Sequence, residues 1–198
     1  MDNVIGHKTA VAFLFTVVGL LSQSLKDAVN VQDFFLDPTD LFIKKEISAA
    51  GGRYPLLDSN TKKLDGICSF DSDGKMDQNR AAIWNRISIK YGLGTGGDNP
   101  GSIDYSTAIP KELANAEIEI SQKGRPVLRK AVRSLYAKGT EIEAGADYVN
   151  LSSLRLFVDD EDLEINLRFP SGVAMPPAGA GTTPFIYVSI DALTTRKA

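Results

Sequence analysis

Short segments in which apolar and polar residues alternate recur along the later part of the chain, and glycine- and proline-rich stretches separate them. In WNRISIKYGL, Ile87, Ile89 and Tyr91 alternate with Ser88 and Lys90, and AEIEISQ follows the same rule. A period of two residues places the apolar side chains on one face of a strand. Several such strands joined by long loops predict a mainly β protein, either an antiparallel β-sandwich or a single jelly roll.

Two segments near the C-terminus add strands to this prediction. SLRLFVDDEDLEINLRF alternates on both sides of an acidic run, residues 159–162, which indicates a hairpin with a solvated acidic turn. TPFIYVSIDAL is dense in β-branched and aromatic residues. We therefore expect this last strand to be buried on both faces.

The segment GRPVLRKAVRSLYAKG departs from the strand pattern. Pro126 suits the first position of a helix, and Arg125, Arg129 and Arg133 recur at four-residue intervals. We predict a helix whose basic face carries these arginines and Lys130, while the alternation of the same residues leaves a strand open as the alternative. Such a face can pair with the acidic segment of another copy, contact phosphates of nucleic acid or lipid, or be solvated.

The most apolar stretch of the chain is TAVAFLFTVVGLL, close to the N-terminus. It is shorter than the roughly 20 residues that a membrane span needs, and the SQSLKDA that follows offers no small-x-small cleavage site. We predict one retained helix over residues 9–29, with an interfacial helix and a cleaved signal as the alternatives. Such a helix needs cover from its own core, a neighbouring subunit or lipid. Its candidate interaction residues are Phe13, Val17, Leu20, Leu21 and Leu25.

The stretch from residue 37 to residue 55 contains DPTD and AAGGRYP, turn-rich runs that favour an extended arm. We therefore expect residues 1–60 to form the N-terminal helix and arm, and residues 61–198 to form the β-sandwich domain. The single cysteine, Cys68, excludes an intramolecular disulfide.

Residue types that carry most enzyme chemistry are scarce. The chain has one histidine, His7, and one cysteine, so a zinc site lacks ligands and a nucleophilic triad would depend on the N-terminal end. GLGTGG, residues 92–97, matches the glycine spacing of a dinucleotide-binding loop, but Asp98 and Pro100 follow where the phosphate-binding helix must begin. We predict a loop between strands there, and we expect no enzyme.

FDSDGKMD resembles the middle of a calcium-binding loop, with Asp71, Asp73 and Asp77 as oxygen donors. Arg80 stands where an EF-hand has its closing bidentate glutamate, and Ser69 stands at the position of the first ligand. We therefore predict a solvated turn. A looser calcium site on the three aspartates is the one cofactor that stays open.

The run LEINLRFPSGVAMPPAGAGTTPFIYVSIDAL resembles the closing strands of jelly-roll capsid proteins from tailless bacteriophages, and AIWNRISIKYG resembles an opening strand. The resemblance rests on layout over the later part of the chain. It implies a structural, self-assembling virion component whose partners are copies of itself and other virion proteins, with the N-terminal helix contacting a neighbouring subunit or a membrane. Those proteins pair their jelly rolls or add a second one, whereas this chain has room for one, so major and minor shell roles both stay open.

A second class of function also stays open. A cytoplasmic β-sandwich binding module would recognise carbohydrate or protein through the loops at residues 92–102 and 172–183. The net charge of -3 argues against a chain that binds nucleic acid over its whole surface. It leaves a local contact with nucleic acid undecided.

Overall fold

In the computed structural model, which describes residues 6–47, 52–71, 74–136, 148–173 and 181–197, two N-terminal helices precede eight strands. The helices are α1 (His7–Val17) and α2 (Gln23–Asn30), and a short α3 (Lys111–Ala114) lies later in the chain. The strands are β1 (Phe34–Glu46), β2 (Arg53–Leu57), β3 (Ala82–Gly94), β4 (Glu117–Gln122), β5 (Arg125–Ala131), β6 (Val149–Phe157), β7 (Leu163–Arg168) and β8 (Thr183–Lys197).

The strands form two four-stranded antiparallel sheets. The order is β1-β8-β3-β6 in the first sheet and β2-β7-β4-β5 in the second sheet. The first strand therefore pairs with the last, the second with the seventh, the third with the sixth and the fourth with the fifth. Folding four such pairs over into two sheets gives the jelly-roll order. The predicted fold class, an antiparallel β-sandwich or single jelly roll with an N-terminal helix, is confirmed.

The main core lies between the two sheets. Trp84 of β3 is fully buried there, with its ring centroid 5.0 Å from that of Phe157. Strand β8 occupies an inner position in the first sheet. Val188 belongs to the main core and Phe185, on the opposite face, is also buried. The prediction that this strand is buried on both faces is confirmed.

The predicted arm is wrong, because its residues form strands β1 and β2. The sandwich therefore starts at Phe34, and the predicted boundary at residue 60 falls after its first two strands. Both strands lie at sheet edges. Proline has no N–H to donate, and an edge strand tolerates this because it pairs with a neighbour on one side only. Pro38 and Pro55 are therefore compatible with strands although they suggested turns.

The predicted hairpin around residues 159–162 is also wrong. Its two arms are strands, but β6 pairs with β3 in the first sheet and β7 pairs with β2 and β4 in the second sheet. The acidic turn therefore crosses from one sheet to the other. Alternation indicates a strand but does not indicate which strand it will pair with.

The predicted helix over GRPVLRKAVRSLYAKG is corrected to strand β5, which is followed by a single 3-10 turn at Val132–Ser134. Strand β5 forms a tight hairpin with β4, in which Lys123 and Gly124 both have positive φ. The strand alternative was the right one, because pairing with β4 outweighs a helical spacing that has no packing partner.

The predicted single helix over residues 9–29 is broken in two. A 3-10 turn at Val18–Leu20 ends α1, and the side chain of Ser22 caps α2 by accepting a hydrogen bond from the Leu25 N–H. We call α1, α2 and the turn between them the helical cap. The cap covers one end of the outer face of the first sheet and builds a second apolar core there, formed by Ala10, Leu14, Leu21, Leu25, Val29, Leu36, Ala81 and Ile83.

Candidate functional site

A buried carboxylate fastens the helical cap to the sandwich. Asp159 is 1% exposed, although it belongs to the turn predicted to be merely solvated. Its Oδ1 accepts a hydrogen bond from the Ser22 N–H at 3.0 Å, and its Oδ2 accepts from the Ser22 hydroxyl at 2.5 Å. The N–H of Asn79 also donates to Oδ2, at 3.0 Å. The start of α2, the turn after β6 and the segment before β3 therefore meet at one side chain.

The candidate interaction residues of the cap divide into two groups. Leu21 and Leu25 are buried in the second core, so they stabilise this chain and are not on its surface. Phe13 and Val17 are half-buried, and Phe13 packs against the same core. Leu20 is the member that remains exposed. Of the three kinds of cover that the sequence left open, the chain's own core therefore accounts for Leu21 and Leu25 but not for Leu20.

Other apolar side chains on and beside the cap are exposed, and the helical spacing did not single them out. Phe15 lies on α1, Val31 follows α2, and Phe35 lies at the start of β1. With Leu20 they make up four of the six large apolar side chains that the described residues expose; the other two are Leu64 and Leu93. Among the described residues, no helix is long and apolar enough to cross a bilayer.

The candidate basic residues do not form one stripe, because they lie on a strand and its following turn. Arg125, Arg129, Lys130 and Arg133 are all exposed. Arg129 pairs with Glu117 of the neighbouring strand at 2.6 Å, and this contact raises the pKa of its guanidinium. Arg129 lies opposite Glu119, and Glu117 is two residues from Glu119 on the same face of β4, so this diagonal pair belongs to the outer face of the second sheet.

Further ion pairs cross the same outer face. Arg168 pairs with Glu119 at 2.6 Å, and Arg53 pairs with Glu164 at 2.7 Å. The face is therefore a ladder of alternating charges, most of which are partnered within the chain. At the β5 edge, Arg125, Lys130 and Arg133 are exposed and form no ion pair with another described residue.

Two of the three predicted calcium donors, Asp71 and Asp77, lie in contact with each other. Asp71 is buried and accepts hydrogen bonds from the Lys63 ammonium at 2.9 Å and from the Asp77 N–H at 2.9 Å. Burial alone would raise its pKa, but these donors outweigh burial and lower it. The pKa of Asp77 is raised, by burial and by the charge of Asp71. Asp73 lies outside the described residues, and within them no group of three or more His, Cys, Asp or Glu is placed to hold a metal.

Two of the glycines of GLGTGG have a packing role. Gly92 and Gly94 end β3, and a Cβ on Gly92 would lie 2.5 Å from the main-chain oxygen of Asp104. The loop that contains Asp104 and Tyr105 can therefore lie against the sheet only because residue 92 has no side chain. The single histidine, His7, is exposed at the start of α1.

An aromatic cluster with one lysine lies on the part of the first sheet's outer face that the cap does not cover. We call Phe42, Lys44, Tyr105 and Tyr187 the aromatic cluster. Lys44 and Tyr187 are directly opposed on β1 and β8. The Lys44 Nζ lies 5.3 Å from the ring centroid of Tyr187 and 5.9 Å from those of Phe42 and Tyr105. Phe42 and Lys44 share one face of β1 because they are two residues apart, but the sequence pattern predicted an arm here and did not indicate this cluster.

A polar network borders the aromatic cluster. Tyr148, just before β6, donates a hydrogen bond to Asp40 Oδ1 at 3.2 Å, and its hydroxyl lies 2.7 Å from the Ser189 Oγ. Its side chain therefore crosses β3 and reaches both β8 and β1, and burial raises the pKa of the hydroxyl. Arg86 pairs with Asp191 at 2.7 Å and stacks on the Tyr148 ring, 5.1 Å from its centroid.

No protein-family model matches the chain, and no curated protein or solved structure matches it significantly.

Proposed function

We propose that this chain is a structural, self-assembling protein, most specifically a shell component of a virion, and that its helical cap contacts a neighbouring copy. The observation that carries the proposal is the apolar surface that remains after the cap has covered its own sheet. Leu20 and Val31 are both more than half exposed, and Phe15 and Phe35 are exposed near them in the chain. Apolar side chains concentrated in one region of a surface mark contact sites more often than chance exposure.

The way the cap is held supports a contact with protein. Because Asp159 fastens the start of α2 and an apolar core lies beneath both helices, the backbone that carries the exposed side chains is held against the sandwich. A preformed surface loses less conformational entropy on association than a mobile arm does. The proposed contact is therefore a preformed apolar surface on the sandwich itself, in place of the predicted extended arm.

The virion role rests on analogy of fold. Eight-stranded jelly rolls are common building blocks of viral capsids, but they also form lectins and other proteins. The layout of the closing strands resembles that of phage capsid proteins, and the strand order is compatible with that resemblance. The analogy favours a shell component over other self-assembling proteins.

Light scattering of the purified chain at increasing concentration tests self-assembly. Electron microscopy shows whether the assembled particles are closed shells. We expect oligomers that grow with concentration. Leu20→Asp should reduce them at least about tenfold in apparent association constant, because a charge would have to be buried in the contact.

Leu64→Asp is the matched control, since Leu64 is 55% exposed and Leu20 is 56% exposed, but Leu64 is remote from the cap in the fold. A monomer at every concentration would overturn self-assembly. An equal effect of both substitutions would overturn the role of the cap. Flotation with phosphatidylcholine vesicles reports the remaining possibility that the same side chains enter lipid, which would also contradict a contact with protein.

A further inference from the structure

We propose that the aromatic cluster, together with Asp40 and Tyr148, forms a binding strip for an acidic oligosaccharide, that is, a sugar chain with a carboxylate-bearing unit. The strip lies on the outer face of the first sheet, between the helical cap and the loop that carries Tyr105. It is separate from the apolar surface proposed for assembly, so it adds a binding activity to the proposed shell component.

Lys44 supplies the site for the carboxylate. Its ammonium lies over three aromatic rings, and within the described part of the chain it has no carboxylate partner. Attraction to the ring faces holds the ammonium in place without neutralising it. An ammonium whose position is already restricted loses little further entropy when an anion binds. The half-buried setting also makes a charge-assisted hydrogen bond stronger than at an open surface.

The rings around Lys44 supply walls for the sugar. Phe42 and Tyr187 meet edge to face with centroids 6.2 Å apart, and Tyr105 and Tyr187 are tilted with centroids 5.5 Å apart. Each ring is partly exposed. Partly exposed aromatic rings offer apolar area at low entropic cost, which suits the C–H faces of a pyranose.

The other end of the strip accepts hydrogen bonds. Asp40 and Lys44 lie on the same face of β1, and four residues of strand separate their α-carbons by about 13 Å. Asp40 is exposed, and the hydroxyl of Tyr148 occupies one of its oxygens. A carboxylate has further acceptor positions, which are available to the hydroxyl groups of a neighbouring sugar unit.

The same arrangement disfavours a nucleic acid. A strand of phosphates running from Lys44 toward Asp40 would carry negative charge past the exposed carboxylate of Asp40. A ligand that presents one carboxylate to Lys44 and sugar hydroxyl groups to Asp40 is complementary to both ends of the strip.

Calorimetric titration of the full chain with sialyllactose and with lactose tests the proposal, because the two sugars differ by one carboxylate-bearing unit. A trimer of galacturonic acid serves as a second acidic probe. We expect at least one acidic probe to bind and lactose to bind at least about tenfold more weakly. Binding by neither acidic probe, or equal binding of lactose, would overturn the proposal. Tighter binding of oligothymidylate or of inorganic phosphate would overturn the assignment to sugars.

Lys44→Gln should weaken the binding of the acidic probe about tenfold or more. Lys130→Gln is the matched control, since Lys130 is an exposed lysine on β5, in the second sheet and outside the strip. Thermal melting checks that both variants are folded. Light scattering separates this proposal from the assembly proposal, because neither lysine lies on the cap and both variants should therefore assemble like the unaltered chain. Unchanged binding by Lys44→Gln, or equal losses in both variants, would contradict the site.

Discussion

The Ser22 hydroxyl donates a hydrogen bond to Asp159, a residue 137 positions later in the chain. This contact joins the first turn of α2 to the crossing between the two sheets. Because Asp159 is buried and accepts from two main-chain N–H groups as well, the helical cap and the sandwich should unfold as one unit.

Asp159→Asn should lower the free energy of unfolding by about 2 kcal/mol, because it removes a buried charge that accepts three hydrogen bonds and sets an amide N–H₂ against their donors. Urea unfolding followed by circular dichroism measures the change. Asp160→Asn is the control in the same turn, since Asp160 is exposed and asparagine tolerates its φ of 55°. Equal stability of the two variants would show that the buried contact does not hold the cap.

Gly92→Ala should destabilise the chain by about 1–3 kcal/mol, since its Cβ would overlap the main-chain oxygen of Asp104. Gly96→Ala, in the same glycine-rich run, should have little effect, because the nearest atom to a Cβ there is the Thr183 hydroxyl at 3.6 Å. Thermal melting compares the two variants. A larger loss for Gly96 would contradict the packing role and would reopen a ligand role for the loop.

Asp71 should make stability depend on pH in the acid range. Its pKa is lowered in the folded chain, so its contribution is fully present above the unfolded value near 3.9 and is lost as pH falls through the folded value. Asp71→Asn should therefore destabilise the chain at neutral pH by about 1–3 kcal/mol and flatten this acid loss.

Asp77→Asn is the matched control for Asp71, because the charge of Asp71 helps to raise the pKa of Asp77. Removing the charge of Asp77 relieves repulsion and leaves its main-chain N–H in place as a donor to Asp71. The expected effect on stability at neutral pH is therefore small and of opposite sign. Urea unfolding at several pH values distinguishes the two, and a parallel loss in both variants would contradict the assignment.

Local patterns predicted strands well where one face is apolar. Ile87 and Ile89 on β3, and Ile118 and Ile120 on β4, alternate as the sandwich core requires. Pairing partners could not be read in this way, because the same alternation serves either sheet. The edge positions that accommodate Pro38 and Pro55 are likewise defined only by the assembled sheets.

Functional surfaces were harder to predict than strands, because they join residues that are distant in the chain. Lys44, Tyr105 and Tyr187 come together only through the pairing of β1 with β8 and the loop above it. Asp159 was predicted to be one acid of a solvated run, because its hydrogen-bond donors, Ser22 and Asn79, lie far from it in the chain. The apolar N-terminal stretch was correctly expected to be helical, but spacing alone could not decide which of its side chains meet the chain's own sheet.

Two adjacent residues of α1 separate the cap's role in folding from its proposed role in assembly. Leu14 is 0% exposed in the second core, whereas Phe15, which lies about 100° further around the helix, is 39% exposed. Leu14→Ala should lower the free energy of unfolding by about 2–5 kcal/mol, because it leaves a cavity in a packed core. Phe15→Ala should change stability little and should weaken the concentration-dependent oligomers seen by light scattering. If Phe15→Ala assembles like the unaltered chain and only Leu14→Ala has a phenotype, the cap serves the fold alone. The exposed apolar side chains would then need a different explanation.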